Sequence, residues 1–322
     1  MGIWGVLGAG LIGGSIAADL LAAGERVLAY DPSERAAAAA EERGAELVAG
    51  IDELARGSEI VVCAVPGRRA AAAVLSLLEA SSRCLVLDTA SPKARIVRRV
   101  EGSFREDALG RRYFPAYPCA GQPLFGWRAA RPGLLSGQTI AFCLEADWEI
   151  DARALQRVFE LVEITGGAGI FARPAEIDSS LARYVQMTRL LAAQQAELVL
   201  SDPLEGMASD PGFADLSAMA ARDGAADTEA AIANRDALAE QLDKLADSAR
   251  DLAGVLRRRD TEELEERLRR GQFARARLEA ARWSERDPYA IEITASAAAL
   301  LEARGPARSL RVVGERLHLI IG

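Results

Sequence analysis

The sequence predicts an α/β fold: an N-terminal doubly wound parallel sheet, then an all-helical domain, then a short tail that contains β-strands. In the first half, short apolar runs alternate with amphipathic, alanine-rich segments, which is typical of strands and helices that alternate in a parallel sheet. Beyond residue 173 the apolar residues instead recur three and four positions apart, which indicates packed helices. With 322 residues, the chain is long enough to bury more than one core.

Six apolar runs predict the strands of the sheet. In chain order they are GIWGVLG, RVLAYD, EIVVCAVP, RCLVLDTA, QTIAFCL and GAGIFA. Amphipathic segments at 11–23, 34–42 and 69–79 predict helices between them. The stretch FPAYPCAGQPLFGW, residues 114–127, combines proline, glycine and four aromatic residues, so we expect a loop built around a site. These elements define a first domain over residues 1–172.

A helical domain is predicted over residues 173–284. Its first helical pattern begins at Pro174, and further helices are expected at 213–222, 228–259 and 261–282. One of these is too long to pack alone, which predicts a bundle shared between two copies in a homodimer. The tail, residues 285–322, returns to β-like alternation, and Gly314-Glu315 predicts the turn of a hairpin.

Composition excludes several classes of function. A formal net charge of −8 disfavours long-range attraction to nucleic acid or to an anionic membrane. No apolar run is long enough to span a bilayer, and the first strand begins too early to leave room for a signal peptide, so we expect a cytoplasmic protein. The four cysteines have no metal-ligand spacing and His318 is the single histidine, so no metal site is expected.

A glycine-rich turn predicts a dinucleotide site. Gly8, Gly10 and Gly13 have G-x-G-x-x-G spacing, follow a predicted strand and open a predicted helix. The first glycine allows the tight turn, the second lets a pyrophosphate approach the backbone, and the third lets helix and strand pack closely. The helix start, Leu11 and Ile12, offers free N–H groups to the phosphates. The alternative is a glycine-rich turn in a fold that binds no nucleotide.

Asp31 indicates which dinucleotide is bound. It closes the second strand about twenty residues after the glycines, where a carboxylate accepts hydrogen bonds from the adenosine ribose and repels a 2′-phosphate. We therefore expect NAD, with NADP left open because Arg35 lies one helical turn further on. The turn Ala64-Val65-Pro66 ends a strand at the same edge of the sheet and is expected beside the cofactor.

Several motifs, in the right order, resemble those of the prephenate and arogenate dehydrogenase family. GVLGAGLIGGS is similar to the family's opening signature, and DTASPK to its D-x-x-S-x-K. YPCAG stands where the family has H-P-x-A-G, PAEID where it has P-x-x-H-D, and GFADLSAMA with a later asparagine resembles G-F-x-D-x-T-R-x-A. The resemblance extends from Gly5 to about Leu278 and leaves the tail outside.

This resemblance implies an NAD(P)-dependent enzyme with an N-terminal Rossmann domain and a helical dimerisation domain. The family oxidises a cyclohexadienol: hydride leaves the ring carbon that bears the hydroxyl, carbon dioxide departs and the ring becomes aromatic. A histidine of the H-P-x-A-G loop accepts the hydroxyl proton, assisted by the serine of S-x-K. The corresponding residues are Tyr117, Ser91 and, beside the serine, Lys93. For Lys93 the alternative is a solvated lysine at a helix start.

The departures from the family pattern concern the base and the substrate anchor. Tyr117 replaces the histidine, and an unperturbed tyrosine has a pKa of about 10, which is far from the pKa that suits a general base at neutral pH. Ala218 replaces the family's carboxylate-binding arginine, and Ile177 a second histidine. We expect the substrate to contact Gly121, Gln186 and Arg189; for Arg189 an ion pair at the dimer interface is equally compatible with the sequence.

These departures leave four hypotheses for function. The leading one is oxidation, with decarboxylation and aromatisation, of a prephenate-like ring that carries an amine, such as 4-amino-4-deoxyprephenate, because a nitrogen lone pair reduces the need for a base. The others are ordinary prephenate or arogenate dehydrogenation in tyrosine biosynthesis, oxidation of an unrelated carboxylated metabolite in specialised metabolism, and a non-catalytic NAD-binding dimer. The retained Ser91 and Lys93 favour an oxidoreductase.

Overall fold

A computed structural model describes residues 2–104, 108–120, 126–199, 211–221, 224–283, 289–303, 305–314 and 316–321. Its described strands form one mixed sheet in the order β3-β2-β1-β4-β5-β6-β7-β8-β10-β11-β9. Their bounds are β1 Ile3–Leu7, β2 Arg26–Tyr30, β3 Glu46–Leu47, β4 Ile60–Cys63, β5 Leu85–Asp88, β6 Tyr113–Pro118, β7 Thr139–Cys143, β8 Ala168–Ala172, β9 Tyr289–Thr294, β10 Ala307–Val313 and β11 Arg316–Ile321.

Helices connect the strands of the first half and dominate the second. The first eight are α1 Leu11–Ala22, α2 Glu34–Glu41, α3 Ile51–Gly57, α4 Gly67–Ala80, α5 Lys93–Glu101, α6 Ala152–Thr165, α7 Pro174–Leu181 and α8 Met187–Val199. Later helices are Pro211–Ser217, Gly224–Ala233, Arg235–Arg258, Thr261–Trp283 and Ala297–Glu302. Helices α3, α4 and α5 pack side by side, and α1 packs against α6. The predicted α/β architecture is confirmed.

The sheet is parallel from β3 to β6, as predicted, and its direction inverts at the next strand. β6 pairs antiparallel with β7, with Ala116 opposite Phe142, whereas β7 and β8 are parallel. The predicted parallel sheet therefore includes an antiparallel step between β6 and β7. Antiparallel neighbours need no crossover helix, and the described part of 119–138 contains only the short 3-10 turn Trp127–Ala129. Residues 114–118, predicted as the start of a loop, belong to β6.

Two predicted helices are interrupted where polar groups are buried. The pattern that begins at Pro174 forms α7, a π-helical turn at Ala182–Gln186, and then α8. The predicted helix 228–259 is broken at Asn234, which is buried and whose side-chain amide bonds neighbouring elements. Periodicity alone does not reveal such breaks, because the apolar spacing continues through them. The helix predicted over 261–282 is confirmed as Thr261–Trp283.

The tail extends the central sheet. β10 and β11 pair antiparallel with Val313 opposite Arg316, so the predicted hairpin is confirmed; Gly314 adopts a φ of 64° in its turn. β11 also pairs with β9, and β10 meets β8 at Ala307 and Gly169. Helix α6 packs against β10. The proposed domain boundaries at residues 172 and 284 stay predictions.

The described ranges bear on two of the protein classes considered above, membrane proteins and metal-binding proteins. Within these ranges no helix combines the length and apolar character needed to cross a membrane. In the same ranges, no three histidine, cysteine, aspartate or glutamate side chains gather as a metal site.

Candidate active site

The glycine-rich loop after β1 is held by close backbone packing. Gly8 has a φ of 94°, and a Cβ there would lie 2.7 Å from the carbonyl oxygen of Ala64. A Cβ on Gly13 would lie 1.9 Å from the carbonyl oxygen of Gly8. Side chains at these two positions would collide with backbone that has nowhere to move. The loop, the start of α1 and the turn after β4 therefore fit together only with glycine at both positions.

Gly10 differs, because the space in front of it is open. A Cβ on Gly10 would meet no described atom within 4 Å. Gly10 is the N-cap of α1, whose first turn contains no acidic residue. The N–H groups of a first helical turn lack partners within the helix and attract anions. The open space and the helix start at Leu11 and Ile12 therefore fit a pyrophosphate.

Asp31 stands immediately after β2 and ties the glycine loop to the next turn. One carboxylate oxygen accepts a hydrogen bond from the backbone N–H of Ala9, at 2.8 Å, and the other from that of Ser33, at 2.8 Å. Each oxygen keeps acceptor capacity for a further donor. A fixed negative charge at this place suits ribose hydroxyls and repels a phosphate.

The turn Ala64-Val65-Pro66 completes this end of the cleft. The Ala64 N–H donates to the carbonyl oxygen of Leu7 at 2.8 Å, and Pro66 precedes the first residue of α4. Because β2, β1 and β4 are neighbours in the sheet, the structure brings all the cofactor residues predicted from the sequence to one edge. Their binding role stays a proposal.

A buried ionic cluster lies beneath the loop that carries Ser91. Lys93 is fully buried, and its Nζ donates to Asp88 Oδ1 at 2.5 Å and to the Asp88 carbonyl oxygen at 3.1 Å. The Tyr113 hydroxyl donates to Asp88 Oδ2 at 2.7 Å. Burial, and then the adjacent Asp88 carboxylate, raises the pKa of Tyr113 well above its ordinary value. The alternative of a solvated Lys93 is wrong, and its contacts favour a role in positioning the loop.

Asp178 of α7 fastens the start of α5. Its two carboxylate oxygens accept hydrogen bonds from the backbone N–H groups of Lys93, at 2.6 Å, and Ala94, at 2.8 Å. Burial raises the pKa of Asp178, although both of these hydrogen bonds act in the opposite direction. The Asn234 amide donates to the Asp178 carbonyl oxygen at 2.8 Å. A continuous chain of hydrogen bonds thus links the Ser91 loop to the later helices.

The predicted substrate residues are engaged with the protein itself. Gln186 is buried; its amide donates to the Ala230 carbonyl oxygen at 3.1 Å and accepts from Asn234 at 2.8 Å. Arg189 forms an ion pair with Asp227, with Nη1 2.7 Å from Oδ1. These contacts favour structural roles for Gln186 and Arg189, whose substrate contacts stay proposals. Gly121 lies outside the described residues.

Tyr117 is half-buried near the end of β6 and faces α7. It packs with Ile177 and Leu181 of α7, on the side of the sheet that also presents Ala141 and Cys143. Ser91 is partly buried in the loop after β5, the strand beside β6, so the two side chains belong to the same edge of the sheet. The arrangement places a phenol against an apolar wall next to a serine-bearing loop.

The single histidine of the sequence lies elsewhere. His318 is on β11, the fourth strand from β6, with Nε2 3.8 Å from Glu292 Oε2. No imidazole is therefore available beside Tyr117. Sequence reasoning missed the buried partner Tyr113, for which the available signal was a tyrosine opening an apolar strand. Asn234, which matches the family's asparagine in the sequence, is buried and bonded to Asp178 and Gln186.

Comparison with known protein families finds a match within the first half of the chain. Residues 16–170 match the profile of the prephenate dehydrogenase nucleotide-binding domain. A search of curated proteins finds no match.

Solved structures share the fold over most of the chain. The structure of prephenate dehydrogenase from Aquifex aeolicus, in complex with hydroxyphenyl propionate and NAD+, is similar with a TM-score of 0.77 at 21% identity, covering 86% of this chain and 98% of that chain. Synechocystis arogenate dehydrogenase is similar with a TM-score of 0.74 at 20% identity, covering 86% and 99%. At these identities the likeness establishes the fold.

Proposed function

We propose that this chain, which belongs to the prephenate dehydrogenase family by its nucleotide-binding domain, is an NAD-dependent dehydrogenase for a prephenate-like cyclohexadienyl substrate. The observation that carries this proposal is the open helix start at Gly10, framed by glycines that tolerate no side chain and by Asp31. The prephenate dehydrogenase of similar fold was solved with NAD+ and an aromatic carboxylate, which supports the same ligand classes here.

The chain's own residues would hold the cofactor along one edge of the sheet. The N–H groups at Leu11 and Ile12 would bind the pyrophosphate, and the Asp31 carboxylate would accept hydrogen bonds from the ribose. Ala64, Val65 and Pro66 would line the path toward the Ser91 loop. When bound, NAD supplies a hydride acceptor. Calorimetry of the full chain should show tighter binding of NAD than of NADP; the reverse preference would refute the role given to Asp31.

We further propose that the substrate ring carries an amine at the carbon that loses hydride. As the hydride leaves, the nitrogen lone pair forms a C=N bond to that carbon. The bond to the ring carboxylate then breaks, carbon dioxide departs, and its electron pair makes the ring aromatic while nitrogen regains its lone pair. The amine reacts in its neutral form, after the proton of its ammonium form has passed to solvent. From there atoms and charge balance without a proton passing to the protein, so the step needs no imidazole.

Tyr117 and Ser91 support this assignment by what they can and cannot do. A phenol, whose pKa in ordinary surroundings is about 10, is a poor base at neutral pH but a good hydrogen-bond partner for nitrogen. Its apolar neighbours Ile177 and Leu181 suit a ring better than a second charge. Tyr117 would orient the amine and Ser91 would offer a second hydroxyl, while Lys93 would keep the Ser91 loop in place through Asp88.

The helical region supports the proposal of a homodimer. Helix Thr261–Trp283 leaves Leu268 and Phe273 more than 60% exposed, and helix Arg235–Arg258 leaves Leu256 more than half exposed. Large apolar side chains in such numbers on two long helices are typical of a surface that is covered by another chain. A second copy would cover them by forming the shared bundle predicted from the sequence.

The test is a panel of substrates with NAD. NADH formation is measured with 4-amino-4-deoxyprephenate, arogenate and prephenate under identical conditions. We expect the amino analogue to give the largest kcat/KM. A clear preference for prephenate or arogenate would refute the amine assignment while keeping the dehydrogenase. No NADH with any of the three, together with undiminished NAD binding, would refute a dehydrogenase for cyclohexadienyl substrates and favour the non-catalytic dimer or a dehydrogenase for another carboxylated substrate.

A further inference from the structure

A groove of about 920 Å³ lies between α4 and α5 and meets the dinucleotide edge described above at Pro66. Ala71 and Ala72 of α4 form one side, and Arg95 and Arg99 of α5 the other. Helix Gly224–Ala233 closes one end, where the groove also reaches Ser91. Its volume lies within the range of small-molecule sites, about 300–1,000 Å³.

Two arginines give the groove an uncompensated positive charge. Arg95 and Arg99 are exposed, stand four residues apart on one face of α5, and form no ion pair with a described residue. Guanidinium groups at this spacing project side by side and match carboxylate geometry. The chain as a whole carries a formal net charge of −8, so two unpaired guanidiniums in one concave site stand out from their surroundings.

The third arginine of the groove already holds a carboxylate of the protein. Glu229 Oε1 accepts a hydrogen bond from the backbone N–H of Arg68 at 3.1 Å, and its Oε2 lies 3.6 Å from the Arg68 guanidinium. This contact neutralises Arg68 and closes the end of the groove at the start of α4. It also leaves Arg95 and Arg99 as the groups open to an external anion.

The remaining lining is mostly apolar, with the hydroxyl groups of Thr89, Ser91 and Thr228 as the exceptions, and it selects among anions. Ile96, Ile232 and Ala233 join the two alanines of α4, so much of the surface offers no hydrogen bond. An anion with an apolar body buries that body here, whereas a small inorganic anion leaves the apolar wall uncovered. The lining therefore favours a ring or short hydrocarbon that bears a carboxylate.

We propose that this groove is a binding site for a carboxylated ring compound, held by Arg95 and Arg99. The site is separate from Tyr117, Gln186 and Arg189, none of which lines it. It shares only the Ser91 loop and Pro66 with the candidate catalytic cleft, so a bound ligand lies against residues that the dehydrogenase also uses. The proposal concerns binding and does not require that the reaction proposed above be correct.

The test is calorimetric titration of the full chain with hydroxyphenyl propionate, a ring that carries a carboxylate. Arg95→Gln and Arg99→Gln are each expected to weaken binding about tenfold, because each removes a charge-assisted hydrogen bond. Arg98→Gln is the matched control: it removes the same charge from the same exposed helix, but Arg98 does not line the groove. We expect it to change the Kd by less than about twofold.

Four outcomes test the groove or separate it from the proposed dehydrogenase. Equal affinities for the wild type and for the Arg95 and Arg99 variants would overturn the proposal, as would an equal loss with Arg98→Gln. Inorganic phosphate that binds as tightly as the ring compound would overturn the role of the apolar wall. NAD affinity, measured on the same samples, separates the two proposals: failure to bind NAD with retained arginine-dependent binding of the probe refutes the dehydrogenase and leaves the groove standing.

Discussion

The two ends of the candidate cleft differ in the groups that form them, which are backbone groups at one end and side chains at the other. At the glycine-loop end, backbone groups form the site. The start of α1 faces an open space in front of Gly10, and glycines without side chains frame that space. At the Ser91–Tyr117 end, side chains form the site: a buried lysine and aspartate lie below the loop, and a phenol packs against an apolar helix. Backbone chemistry is shared by all sequences that adopt the turn, whereas side-chain chemistry sets the reaction.

The largest effect is expected at the glycine-loop end. Gly13→Ala places a Cβ 1.9 Å from the Gly8 carbonyl oxygen, so the loop must shift. We expect a loss of about 3 kcal/mol in the free energy of unfolding and a loss of measurable NAD binding. Gly10→Ala is the matched control, since its Cβ meets no described atom. It should weaken NAD binding with unchanged stability in urea unfolding; equal stability losses in both variants would contradict this account.

The next largest effect is expected beneath the Ser91 loop. Lys93→Met leaves the Asp88 carboxylate buried without its cation, so the free energy of unfolding should fall by about 3–5 kcal/mol. Urea unfolding measures this loss. The double variant Lys93→Met, Asp88→Leu removes both charges and should recover part of it. A single variant as stable as the wild type would show that the ion pair does not hold the loop.

A smaller effect, on catalysis, is expected at Tyr117. Tyr117→Phe keeps the ring that packs on Ile177 and Leu181 and removes the hydroxyl. We expect kcat for the amino substrate to fall about tenfold, because one oriented hydrogen bond is lost. Steady-state NADH formation and a thermal melt together check this. Unchanged kcat would exclude Tyr117 from the chemistry, and a large loss of stability would indicate a structural hydroxyl.

The smallest effect concerns pH and Asp19 of α1. Its Oδ1 accepts a hydrogen bond from the Gly133 N–H at 2.7 Å, its Oδ2 is buried without a partner among the described residues, and burial raises its pKa above the ordinary 3.8. A raised folded-state pKa contributes stability that is complete below the unfolded pKa and is lost as pH rises through the folded pKa. Asp19→Asn should therefore gain on the wild type as pH rises above about 4, the unfolded-state pKa of aspartate, in urea unfolding. A difference that stays constant with pH would contradict this.

The comparison also explains which features the sequence predicts. Gly8, Gly10, Gly13 and Asp31 are predictable because their roles follow from spacing along one strand, turn and helix. Lys93 is not, since its solvation depends on Asp88 and on α7, which lies far along the chain. The substrate residues Gln186 and Arg189 were proposed from a family pattern, and their partners Asn234 and Asp227 become visible only once the helices are packed.

The fold follows the same division. Apolar runs predict β1, β2, β4 and β5, but not the inversion between β6 and β7, which depends on how a loop returns. β3 was missed because two exposed residues, Glu46 and Leu47, carry no periodic pattern. Breaks at the π-helical turn and at Asn234 come from buried polar contacts that helical spacing does not record.

In the proposed function, this chain is an NAD-dependent dehydrogenase in which Tyr117 favours a ring amine over a ring hydroxyl. The most direct measurement is the ratio of kcat/KM for 4-amino-4-deoxyprephenate to that for prephenate, in the wild type and in Tyr117→His. We predict a ratio well above one in the wild type that falls in the variant, because an imidazole restores a base for the hydroxyl. A wild-type ratio below one, or a ratio that the histidine leaves unchanged, would contradict the claim.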